Sequence, residues 1–126
     1  MYKINTDKAP AAIGPYSQGF ITAGGLLFCS GQIALDPVSG ALVGSTIEAQ
    51  AEQVMKNVGA LLETAGLGFE NVVKTTCFLA DMGDFDTFNG IYAKYFTSCP
   101  ARSCVAVKSL PKGALCEIEA VAEVLA

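Results

Sequence analysis

The chain has 126 residues, 52% hydrophobic and 16% charged, which is the make-up of one globular domain spanning residues 1–126 and excludes a disordered, collagenous or coiled-coil protein. Eight basic against twelve acidic side chains give a net charge of −4, and the lysines are scattered, so generic binding to nucleic acid or to an anionic membrane is disfavoured. No histidine is present, which removes Ser-His-Asp and Cys-His catalysis and His-ligated zinc or iron.

In chain order, Tyr2–Asn5 reads as a short strand, and this start carries no apolar signal-peptide core, so the expected address is the cytoplasm. Ala9–Tyr16, with two prolines and a glycine, reads as irregular surface chain. Gln18–Thr22 and Leu26–Ile33 read as a hairpin turned by Ala23-Gly24-Gly25, and Asp36–Gly40 supplies a further turn. The apolar run Leu26-Leu27-Phe28-Cys29 is far shorter than the roughly 18 residues of a membrane span.

Ser45 with Glu48 predicts a capping box, followed by a helical stripe of Ile47, Ala51, Val54, Val58, Leu61, Leu62 and Ala65 that Gly66 ends. Val72–Ala80, rich in β-branched residues, predicts a central strand. Asp84 is placed to cap a second helix through about Phe96, whose stripe of Phe85, Phe88, Tyr92 and Phe96 reads as core packing. Ser103–Leu110 and Leu115–Leu125 complete the strands, with Cys116, Ile118, Ala120, Ala122 and Val124 facing the helices and Glu117, Glu119, Val121 and Glu123 facing away. The order predicts an α+β two-layer sandwich: a mixed six-stranded sheet with two helices on one face. Its other face mixes carboxylates with aliphatics, a pattern better buried by a partner subunit than left wet.

Candidates for chemistry are few. Five cysteines, an odd number without a C-x-x-C pair, read as reduced thiols. Cys29, Cys77 and Cys116 lie in apolar strands and read as small hydrophobes, whereas Cys99 and Cys104 sit beside functional-looking residues. No phosphate loop or nucleophile elbow occurs, and Asp81, Asp84 and Asp86 fit a helix start better than a cation site. Arg102 is the only arginine, set on a strand after Pro100 with Cys104 on the same face. Guanidinium suits a bidentate grip on a carboxylate, but a structural salt bridge to Glu117 or Glu119 fits the spacing equally well.

Taken together, Ala9–Gln18 (Ala-Pro-Ala-Ala-Ile-Gly-Pro-Tyr-Ser-Gln), Ser30–Ile33, Lys74–Phe78, Pro100–Val105, Leu110–Lys112 and Glu117–Ala120 closely resemble the Rid (YjgF-type) family of imine/enamine deaminases, in family order and across nearly the whole chain. The resemblance is closest to the RidA branch. It implies a chorismate-mutase-like fold assembled as a homotrimer with clefts between subunits. It further implies hydrolysis of 2-imino acids and their enamine tautomers, such as 2-aminoacrylate and 2-aminocrotonate, to 2-keto acids and ammonia without a cofactor or metal. Carried over by position, Arg102 clamps the substrate carboxylate and Glu117 activates water and shuttles protons. The Cys104 backbone and Gly31 line the cleft, with Tyr16, Ser30 and Asn89 around it.

Two departures stand out. Thr97-Ser98-Cys99 is shorter than usual for the family, and Cys116 replaces an aliphatic residue. Imine hydrolysis needs water, a proton shuttle and an oriented carboxylate, so the lack of histidine is no obstacle. The rival readings are a trimeric carboxylate-binding regulatory module, a ribonuclease or translation inhibitor, and a thiol sensor acting through Cys104.

Overall fold

The computed structural model describes residues 2–124. Six strands form one mixed sheet in the order β1-β2-β3-β6-β4-β5. They are β1 (Tyr2–Ile4), β2 (Gly19–Ile21), β3 (Leu26–Gln32), β4 (Val72–Leu79), β5 (Ala101–Ala106) and β6 (Cys116–Glu123). All neighbours are antiparallel except β4 and β5, whose parallel pairing needs a crossover that α2 (Phe85–Tyr95) supplies. With α1 (Ile47–Thr64) this gives the expected two-layer α+β sandwich. Neither helix is long and apolar enough to cross a membrane.

The core lies between the helices and one sheet face. The stripe of α1 puts Ala51, Val54, Val58, Leu61 and Leu62 fully out of water, against Leu27, Cys77, Leu79, Ile118 and Ala122. Each large aliphatic side chain so buried contributes roughly 1.5–3 kcal/mol. Burial pushes the thiols of Cys29, Cys77 and Cys116 up to about 12, so they pack as small hydrophobes. Gly66 ends α1 with positive φ; its N–H donates to the Glu63 carbonyl and that of Leu67 to Leu62.

Several boundaries differ from expectation. Thr46, not Ser45, caps α1, its hydroxyl accepting from the Ala49 N–H at 3.2 Å. Asp84 sits at the N-cap of α2 without a side-chain cap, because Asp81 has already closed a 3₁₀ turn over Met82–Asp84 by accepting from the Gly83 N–H. Strand β5 ends at Ala106, where pairing with β4 runs out. Leu125, placed in the last strand by its sequence, lies outside the described residues.

Candidate active site

Period-two alternation sorts the expected site residues onto two opposite faces of the sheet. On β6, Cys116, Ile118, Ala120 and Ala122 point to the helices, so Glu117 and Glu119 point to the open face. Leu26, Phe28, Phe78, Val105 and Val121 share that open face by register, beside Lys74 and Thr76. On β5, Arg102 lies beside Thr75 and Cys104 beside Cys77, both neighbours fully buried on the helix side.

A cleft of about 650 Å³ opens at the β3–β6 end of the sheet, and its walls include Pro10, Tyr16, Ser30, Gly31, Lys112 and Glu117. Its floor depends on a β-bulge. Cys29 pairs with Ala120 and Gln32 with Ile118, so Ser30 and Gly31 together oppose Glu119. The extra residue turns β3 at the point where the Glu117 carboxylate crosses it. A Cβ on Gly31 would collide with Glu117 Oε2, so only glycine leaves room for the carboxylate. Burial, reinforced by the Glu119 charge, raises the pKa of half-buried Glu117 above the usual carboxylate range.

The wall facing Glu117 is the irregular segment Ala9–Tyr16, which Gln18 holds in place. The Gln18 side chain is buried; Oε1 accepts from the Thr6 N–H at 2.8 Å, and Nε2 donates to the carbonyls of Thr6, Ala9 and Pro10 at 3.0, 3.2 and 2.8 Å. Ser30 adds a second tie, its hydroxyl donating to the Ser17 carbonyl at 2.6 Å. Both ties hold the chain that carries Tyr16, whose ring is 54% exposed at the cleft mouth.

Arg102, Cys104 and Asn89 do not line this cleft. The Arg102 Nη1 donates to Asn89 Oδ1 at 2.7 Å, and its guanidinium carbon lies 4.7 Å from the Tyr92 ring centroid and 5.6 Å from that of Phe85. Among the described residues it makes no ion pair, so the salt bridge to Glu117 or Glu119 is overturned by register: those carboxylates are on the other face. By strand spacing, Arg102 and Glu117 of one chain stand roughly 14 Å apart at Cα with side chains diverging. Burial raises the Cys104 thiol pKa, partly offset by Arg102.

The aromatic stripe of α2 is therefore core, as expected, and is also the bed of Arg102. Sequence reading passed over this second role, and over Gln18 and Lys112 as cleft-shaping residues. The usable signal for Gln18 was a glutamine directly after a proline-rich segment with unpaired carbonyls to satisfy. No group of three or more Cys, Asp or Glu side chains gathers as metal ligands among the described residues.

Comparison with known proteins agrees with this fold. Residues 6–124 match the family described as Endoribonuclease L-PSP. A Lactococcus lactis protein named as a candidate regulator, AldR, is 57% identical over 122 residues, covering 96% of each chain. Human 2-iminobutanoate/2-iminopropanoate deaminase is 52% identical over 120 residues, covering 94% of this chain and 87% of that one. The YjgF gene product of E. coli has a solved structure that superposes with a TM-score of 0.90 at 45% identity, covering 98% of both chains. Matched through sheet, helices and nearly every residue, the chain belongs to this Endoribonuclease L-PSP family, the YjgF/Rid family.

Proposed function

We propose that this chain hydrolyses 2-imino acids and their enamine tautomers to 2-keto acids and ammonia without a cofactor, as a homotrimer whose sites each draw on two subunits. Relatives about 50% identical to it are named deaminases of such imines. The observation that carries the shared site is the opposed placement of Arg102 and Glu117, since no single chain brings both to one small substrate. The mixed apolar and acidic open face supports burial against a second copy.

In this reading Arg102 holds the substrate carboxylate with donors that Asn89 leaves unused. Glu117, ionised, takes a proton from water as its oxygen bonds to the imine carbon and the C=N π pair moves to nitrogen. The same carboxyl then returns the proton to nitrogen. Glu117 then takes the hydroxyl proton and delivers it to the amino nitrogen as C=O forms and the C–N bond breaks, so that neutral ammonia leaves and the carboxylate is regenerated. One group serves as base and then acid most efficiently when its pKa approaches the working pH, the direction in which burial moves Glu117.

The regulator name of one relative keeps a binding module as the second reading. The family description names an endoribonuclease, but the −4 charge and scattered lysines do not make a nucleic-acid surface. The test is a dehydratase-coupled assay following keto-acid release. Wild type is expected to accelerate release; Arg102→Ala and Glu117→Gln are each expected to lose about a thousandfold. Co-refolding the two variants is expected to restore about a quarter of the sites if each joins Arg102 of one subunit to Glu117 of another. No acceleration by a folded wild-type trimer sinks the enzyme reading, and no recovery on mixing sinks the shared site.

A further inference from the structure

The bed beneath Arg102 joins ring packing to a buried hydroxyl contact. Tyr92 is 8% exposed; its ring stacks on Phe96 at 4.4 Å between centroids, and the Arg102 guanidinium carbon lies over it, 4.7 Å from its centroid. Its hydroxyl is 2.7 Å from the hydroxyl of Thr75, which is fully buried on β4 and is the register partner of Arg102. The phenol is thus fixed at its ring by α2 and at its oxygen by the strand beside Arg102. Burial raises the Tyr92 pKa, so the phenol stays neutral at physiological pH and the hydroxyl pair persists.

A guanidinium is a flat fork, and bidentate carboxylate binding fixes the plane of the ligand to the plane of the fork. Asn89 alone, bonded to one nitrogen, leaves rotation about that bond open. A ring face against the guanidinium removes this freedom, provided the ring itself cannot tilt. We propose that Tyr92, pinned through its hydroxyl by Thr75, is a positioning residue that sets the plane of Arg102 and hence the angle at which a substrate carboxylate is held. The inference rests on the proposed role of Arg102 as the carboxylate clamp.

Calorimetric titration of the trimer with pyruvate and 2-oxobutanoate tests this without needing turnover. Tyr92→Phe and Thr75→Val each remove the hydroxyl pair and are expected to weaken binding about three- to tenfold. Each also takes the 2.7 Å partner from a buried hydroxyl, leaving Thr75 only its long contact with the Cys77 thiol or Tyr92 none, which lowers the melting temperature; the double variant leaves neither hydroxyl behind, so its stability is expected to recover. Binding is expected to stay weak in the double variant, because the ring is still unpinned. In an Arg102→Ala background, Tyr92→Phe is expected to change affinity no further. Recovery of binding together with stability, or an undiminished effect of Tyr92→Phe without Arg102, overturns the inference alone. Arg102→Ala binding as wild type does, or a wild type that binds neither acid, removes the clamp reading and the inference with it.

Discussion

The two faces of the sheet carry similar apolar residues under opposite constraints. On the helix side, Leu27, Cys77, Leu79 and Ile118 are fully buried, and partly buried Arg102 lies against Tyr92 and Phe85 and hydrogen-bonds Asn89. On the open side, Phe28 and Val105 remain 45% and 46% exposed beside Glu117, Glu119 and Lys74. The first face spends its apolar surface on folding the chain; the second is the surface that the proposed assembly would cover. The charges differ accordingly: partly buried Arg102 lies against aromatic rings at the helix layer, and Glu117 is half-buried next to a bulge on the open face.

That contrast is broken most forcefully by truncating each face in turn. Leu61→Ala, in the sealed core, is expected to cost about 2–5 kcal/mol of stability in urea denaturation. Phe28→Asp on the open face is expected to leave a folded monomer while abolishing assembly, read by sedimentation together with circular dichroism. If Phe28→Asp unfolds the chain as Leu61→Ala does, the open face is folding core after all.

A smaller effect is expected at the bulge. Gly31→Ala would drive the Glu117 carboxylate from its seat, with activity falling about a hundredfold while the melting temperature stays within a few degrees. Retained activity would mean that Glu117 works from another position. The smallest effect concerns stability and pH. Because the folded-state pKa of Glu117 is raised, the folded chain holds this proton more tightly than the unfolded one, and stability is lost as pH rises through that pKa. Glu117→Gln is therefore expected to raise the melting temperature at neutral pH and to leave it unchanged well below pH 4.5, the ordinary glutamate value. A rise of equal size at both pH values would mean that the gain comes from packing, not from the charge.

How far the site was legible follows from the same geometry. Residues named for the site from their motif context fall into two groups that the fold separates. Tyr16, Ser30, Gly31 and Glu117 line one cleft, whereas Arg102, Cys104 and Asn89 lie on the other side of the sheet. Alternation along β6 was readable, because the apolar residues at even positions leave Glu117 on the outer face. Alternation within Arg102–Cys104 was readable too, but its phase relative to β6 was not, since nothing local says which face of β5 meets α2. The salt bridge to Glu117 or Glu119 therefore stayed open until the register of β4 with both neighbours placed those carboxylates on the opposite face from Arg102.

By itself the sequence determined the elements and their order, the apolar stripe of α1, the two-sided pattern of β6 and the kinship carried by its motifs, because these rest on periodicity and local chemistry within a few residues. The hairpin, the helix stop at Gly66 and the absence of histidine chemistry belong with them. Tertiary structure alone decided the bulge that seats Glu117 over Gly31, the grip of Gln18 on the Ala9–Tyr16 segment, the Thr75–Tyr92 hydroxyl contact beside Arg102 and the placement of Arg102 and Glu117 on opposite faces. Each of these is set by pairing between residues distant in the chain, and register, unlike periodicity, has no local signature.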